Sequence, residues 1–151
     1  MSIAGEHLAS AALRSALGTL VRLHASEGES PRILFATPAG EHHEFGVLAA
    51  AMLAATAGFG TLYLGADLPA PEIADAARRT GVRAVVLGLT GAVDPIAARR
   101  EVELVGASIP RRVALFCGGP AGPLAAQIGQ TGVLYLDSLD QFQRRIEALR
   151  K

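Results

Sequence analysis

Three observations predict an α/β fold with a flavodoxin-like (Rossmann-like) parallel sheet of five strands in the order 2-1-3-4-5. Five short apolar runs alternate with helical segments from residue 32 to the end of the 151-residue chain. The third and fourth runs, "RAVVLGL" and "RRVALFC", are nearly continuous in apolar character, as strands covered on both faces are. Strand–helix–strand units close by right-handed crossovers, which sets helices on both sides of the sheet. In such sheets a ligand binds beyond the carboxyl ends of the strands, at the switch point between strands 1 and 3.

Each element has a local reason. Residues 4–25 form a first helix, with Leu13, Leu17, Leu20, Val21 and His24 at spacings of three and four and Arg14 and Arg22 elsewhere on the surface. "SEGESP" (26–31) ends it as a linker. This organisation predicts a helix and linker over residues 1–30 and an α/β domain over 31–151. "RILFAT" is the first strand, and Gly58 stops the Ala-rich helix 44–57 that follows. "GTLYLG" is the second strand. Pro71 and Glu72 open the helix 70–81 and Gly81 closes it. Asp94 is the expected N-cap of the helix 94–107, with Pro95 at its first position. A short helix over 121–129, a fifth strand over 132–136 and a closing helix from 137 complete the pattern.

Composition narrows the function classes. Half the residues are hydrophobic and 19% are charged, the balance of a globular domain. Acidic and basic residues cancel, so no electrostatic footprint for nucleic acid or an anionic membrane is present. The single cysteine, Cys117, forms no internal disulfide, in keeping with a reducing cytoplasm. No secretory signal opens the chain, and no apolar run approaches the roughly 20 residues of a membrane span.

The stretch "TPAGEHHEFG", residues 37–46, follows strand 1 and so lies at the switch point. Two of the four histidines are in it. On an extended loop Glu41 and His43, two apart, point the same way. The Glu41 carboxylate then reaches Nδ1–H of His43 and leaves Nε2 as a lone-pair donor, the tuning a metal-bound histidine receives. The other reading is a solvated loop whose Glu44 faces a helix N-terminus. Zinc sites need three or four protein ligands, and His7, His24 and Cys117 lie on other elements. A metal that brings its own in-plane ligands, as in a haem or a corrin, needs one histidine only.

The neighbouring positions also have two readings. Gly118-Gly119 either lets a bulky ligand approach the backbone or makes a strand-to-helix turn. Gly46 serves the same approach or tight helix–sheet packing. Cys117 reads as a small buried hydrophobe, His42 as exposed loop, and Gly65-Ala66-Asp67 as a turn near the crevice. Other residents of this fold are excluded by residue type. Leu89-Thr90 stands where a phospho-receiver carries Asp. "PAGEHHEFG" lacks the hydroxyls of an FMN phosphate loop. No G-x-G-x-x-G follows strand 1, and no nucleophile–base–acid set is present.

Glu41-His42-His43-Glu44-Phe45-Gly46 resembles the Asp-x-His-x-x-Gly motif of cobalamin-binding domains, with Glu for Asp. Thr90-Gly91-Ala92 resembles the Ser-x-Leu motif of that family, and Gly118-Gly119 its Gly-Gly motif. The three stand in the family's order, each after a strand, and the likeness covers residues 32–151. It implies that His43 replaces the cofactor's benzimidazole beneath cobalt, that Glu41 orients His43, and that Thr90 extends the hydrogen-bond chain. Gly46, Ala92, Gly118 and Gly119 would accommodate the displaced nucleotide tail. Ala92 for Leu removes apolar volume there.

"EHLASAALRSALGTL" resembles the last helix of the bundle that caps cobalamin in light-sensing transcriptional regulators of the MerR type, where a Trp precedes Glu-His. Glu6-His7 matches the end of that motif, and the Trp is missing. The resemblance implies a non-catalytic sensory domain, a cytoplasmic photoreceptor module for transcription regulation. Its cofactor would be adenosylcobalamin or methylcobalamin, with Glu6 and His7 near the upper axial group. It would self-associate or take its helical cap from a partner, and would not bind DNA by itself. The alternative is a corrinoid carrier for methyl transfer, or the small cobalamin subunit of a mutase, since both use the same three motifs.

Overall fold

A computed structural model of the chain describes residues 2–24, 31–120, 124, 128 and 133–150. Five parallel strands form one sheet in the order β2-β1-β3-β4-β5, as expected. They are β1 (Arg32–Pro38), β2 (Gly60–Leu68), β3 (Ala84–Gly88), β4 (Ala114–Gly118) and β5 (Leu134–Leu136). The helices are α1 (Ile3–His24), α2 (Phe45–Thr56), α3 (Ala70–Thr80), α4 (Pro95–Ser108) and α5 (Leu139–Glu147), with a 3-10 turn over Ala148–Arg150. The helix expected over 121–129 lies outside the described residues, apart from the helical Leu124 and Ile128.

Side chains alternate along each strand. From β1, Leu34 and Ala36 join one core with Ile73, Ala74, Val102 and Val105 of α3 and α4. Ile33 and Phe35 join the other, with Val47, Ala51 and Ala54 of α2 and Phe142 and Ile146 of α5. Phe35 and Phe142 meet edge to face, with ring centroids 6.1 Å apart. α2 is apolar on every side because the sheet covers one flank and α1 and α5 the others.

Caps follow the sequence signals. Asp94 accepts from Ala97 N at 3.1 Å, and Gly81 closes α3 in the left-handed conformation. Ser138 caps α5 by accepting from Gln141 N, so the closing helix begins two residues later than expected. The strand bounds differ from expectation. β4 begins at Ala114, because a turn in which Val113 N–H donates to the Pro110 carbonyl takes up Arg111 and Arg112. β2 runs on to Leu68 because two bulges against β1 carry pairing past Gly65.

The apolar stripe of α1 is not the buried face its spacing predicts. Val21 is buried, whereas Leu13 is 51% and Leu20 37% exposed. Besides Val21, a polar contact ties α1 down: the Arg14 guanidinium pairs with Glu44, the residue before α2. Residues 3–13 continue beyond that contact for about three turns. No helix among the described residues is long and apolar enough to cross a membrane.

Candidate functional site

The β1–α2 loop leaves the sheet at its switch point, between β2 and β3. Thr37, the next-to-last residue of β1, is fully buried, and its hydroxyl donates to the Glu41 carbonyl. The loop is therefore folded back on the strand that feeds it. Glu41 is also fully buried, an unusual place for a carboxylate unless every lone pair is used.

They are used. Glu41 Oε1 accepts from His43 N at 2.9 Å and stands 2.8 Å from His43 Nδ1. Oε2 accepts from both Thr90 N and Thr90 Oγ1 at 2.8 Å. Burial pushes the Glu41 carboxyl up, but the Thr90 and His43 amides, the Thr90 hydroxyl and the His43 ring outweigh it. The net effect holds the carboxyl below its ordinary value. An ionised Glu41 accepts a hydrogen bond from Nδ1–H and so fixes the tautomer with the lone pair on Nε2. That nitrogen has no hydrogen-bond partner among the described residues, and the His43 side chain is 65% exposed.

His43 stands at the mouth of a cleft of about 440 Å³ between α2, α5 and the carboxyl ends of β3 and β4. Gly46, Thr90, Gly118 and Gly119 line it with His43. A Cβ at Gly46 would meet no atom from outside its own turn of helix within 4 Å. Tight packing is thus not its reason; the bare backbone leaves room on the cleft wall. Gly119 is different: at φ +122° a Cβ would fall 2.2 Å from the Leu89 carbonyl oxygen. It lets the chain leaving β4 pass close to the chain leaving β3, as well as lining the cleft. Cys117 is fully buried beside the same wall, and its thiol is pushed up by burial alone, so it is inert there.

The expected set is thus largely brought together: His43, Gly46, Thr90, Gly118 and Gly119 line one crevice, and the buried Glu41 is bonded to His43 and Thr90 behind it. Ala92 is exposed and does not line the cleft; its amide turns back to Thr90 Oγ1 at 3.4 Å. Glu6 and His7 are exposed on α1. His7 lies on the same stripe as Arg14 and Val21, at spacings of seven, above the Arg14–Glu44 contact.

Two features lie outside the sequence expectation. Gly65-Ala66-Asp67 is not a plain turn but the end of β2, where Asp67 contacts the loop directly. Arg14 does not simply face solvent. It pairs with the buried Glu44, which also accepts from Tyr63 Oη, and stands 5.9 Å from the centre of the Phe45 ring. Glu44 has no capping hydrogen bond to α2, so its carboxylate serves α1 and β2. Among the described residues no three His, Cys, Asp or Glu side chains are grouped to hold a metal.

No protein-family model matches the chain. Over 95 residues, 63% of its length, the chain is 34% identical to the HTH-type transcriptional repressor CarA of Myxococcus xanthus. The match spans 33% of that protein, so the chain corresponds to about a third of it. Among solved structures it is similar to a cobalamin-binding protein from Desulfitobacterium hafniense DCB-2, with TM-score 0.66 and 19% identity over 80% of this chain and 60% of that one. It is similar to the methanol:cobalamin methyltransferase complex MtaBC of Methanosarcina barkeri, with TM-score 0.66 and 20% identity over 83% and 48%. It is also similar to the monomethylamine corrinoid protein of the same organism, with TM-score 0.67 and 16% identity over 93% and 66%. At these identities the likeness is one of fold.

Proposed function

We propose that the chain is a cobalamin-binding sensory domain, holding the cofactor with the benzimidazole displaced and His43 as the lower axial ligand to cobalt. The observation that carries this is the buried Glu41 carboxylate, which fixes His43 by ring and amide together while Nε2 stays open to the crevice. A corrin supplies four in-plane donors of its own, so one imidazole completes the protein's share. The cleft fits the rest: its volume is in the range of small-molecule sites, its wall is bare at Gly46, and its lining is mainly apolar. When bound, the cofactor would supply a cobalt–carbon bond whose breakage can be sensed. The chain's own residues orient the imidazole, keep its tautomer and shape the tail's path.

Identity to a transcriptional repressor favours the regulator over other users of the same fold. In that reading Glu6 and His7 flank the upper axial group, and the exposed face of α1 meets a second copy or a partner's helices. The chain is not itself an enzyme. The second reading, a corrinoid carrier that presents cobalt to a methyltransferase, draws on the likeness to two methyl-transfer corrinoid structures.

The experiment is to load the protein with adenosylcobalamin, remove free cofactor by desalting, and measure mass in the dark and after illumination. A change of oligomeric state with light supports the sensor. Retention without any change, together with methyl transfer in the presence of a methyltransferase, supports the carrier instead.

A further inference from the structure

We propose that Asp67 is a positioning residue that sets the conformation of the Gly40–His43 loop from the end of β2. The ligand-binding part of this proposal rests on the cobalamin reading; the loop-holding part does not. Asp67 has φ +60°, the only positive value at a non-glycine among the described residues. An L-residue pays for that conformation, and it persists where surrounding contacts hold it. Here they do. Asp67 N–H is shared between Thr37 Oγ1 at 2.9 Å and the Glu41 carbonyl at 3.1 Å. Its Oδ1 accepts from Gly40 N at 2.7 Å.

Asp67 thus grips the loop on both sides of its turn, just before Glu41 and at Glu41 itself. Its Oδ2 stands 3.8 Å from His42 Nδ1, on the β2 side, while Glu41 draws His43 to the β3 side. The two adjacent histidines are sorted between two carboxylates. The bulges in β2 are what deliver Asp67 there: the pairing Ala36 with Gly65 is followed by Pro38 with Leu68, so β2 gains a residue on β1 at that step.

Asp67→Gly removes the carboxylate while keeping the positive φ free of strain. Asp67→Asn keeps an acceptor and a residue that tolerates the left-handed region. In the ligand-free protein, hydrogen exchange at the Gly40 amide is expected to rise at least about tenfold in Asp67→Gly, the size of one lost hydrogen bond to a charged acceptor. Exchange should return towards wild type in Asp67→Asn. Affinity for hydroxocobalamin should follow the same order, falling about tenfold in the glycine variant and recovering with Asn. Unchanged exchange and affinity in Asp67→Gly overturn the proposal, as does an Asn variant no better than Gly. If the wild-type protein takes up no hydroxocobalamin, the cofactor reading falls, and the exchange measurement alone decides the role of Asp67.

Discussion

The Glu41 carboxylate grips His43 twice, at its backbone amide (2.9 Å) and at ring Nδ1 (2.8 Å), while its other oxygen is held by Thr90. A side chain fixed at both ends of its own backbone-to-ring path has little freedom to turn. Glu41→Gln keeps the shape but loses the charge and presents an NH₂ where an acceptor is needed. We expect a loss of about 1.5–3 kcal/mol in stability and a fall of about 10- to 100-fold in cobalamin affinity. Urea denaturation and cofactor titration measure the two effects separately.

The lowered carboxyl of Glu41 gives a pH dependence of definite sign. Its folded pKa lies below the unfolded value, so its contribution to stability is complete above the ordinary glutamic range. That contribution is lost as pH falls through the folded value. Stability curves of wild type and Glu41→Gln should therefore be well separated at pH 7 and converge in acid. Curves that run parallel through the acid range contradict the assignment.

The two glycines of the crevice should respond in opposite ways. Gly46 lies in the first turn of α2 with open space at its Cβ position, so Gly46→Leu should fold normally. Its side chain would project from the cleft wall and lower cobalamin affinity by about tenfold or more, the cost of a ligand that no longer seats. Gly119→Ala meets the Leu89 carbonyl at 2.2 Å with a positive φ and should cost stability itself, on the order of 1–3 kcal/mol. Melting temperature and binding, measured on both variants, separate the roles.

Arg14 clips α1 to the site loop through Glu44. Arg14→Ala leaves a carboxylate 7% exposed with Tyr63 as its remaining partner. Because Arg14 is half exposed, the expected loss is about 1–2 kcal/mol, less than for a fully buried pair. Trypsin should then cleave α1 at Arg22 faster than in wild type, while the sheet domain stays intact. Equal cleavage rates would show that the clip does not hold the helix.

Much of this was legible in the chain. The strand order followed from alternating elements, and the Glu41–His43 contact from a spacing of two. The family resemblance implied that Thr90 extends the hydrogen-bond chain, and its hydroxyl does donate to Glu41. What was not legible depends on contacts between distant segments. Asp67 read as a turn because bulges in β2 become visible only against β1. Arg14 read as surface because its partners Glu44 and Phe45 lie some 30 and 31 residues away. The signal that could have found Asp67 was a small polar residue able to take positive φ, two positions after a glycine at a strand end. The α1 stripe misled for the converse reason: helical spacing of Leu13 and Leu20 shows an apolar face, not what covers it.

The central claim is that a nitrogen of the chain, not of the cofactor, lies beneath the metal. Electron paramagnetic resonance of the cob(II)alamin complex with uniformly ¹⁵N-labelled protein reads this directly, since the axial nitrogen splits each cobalt line. The account predicts doublets from a protein nitrogen, lost in His43→Ala. Triplets from the unlabelled nitrogen of the cofactor's own benzimidazole, in wild type, would contradict it.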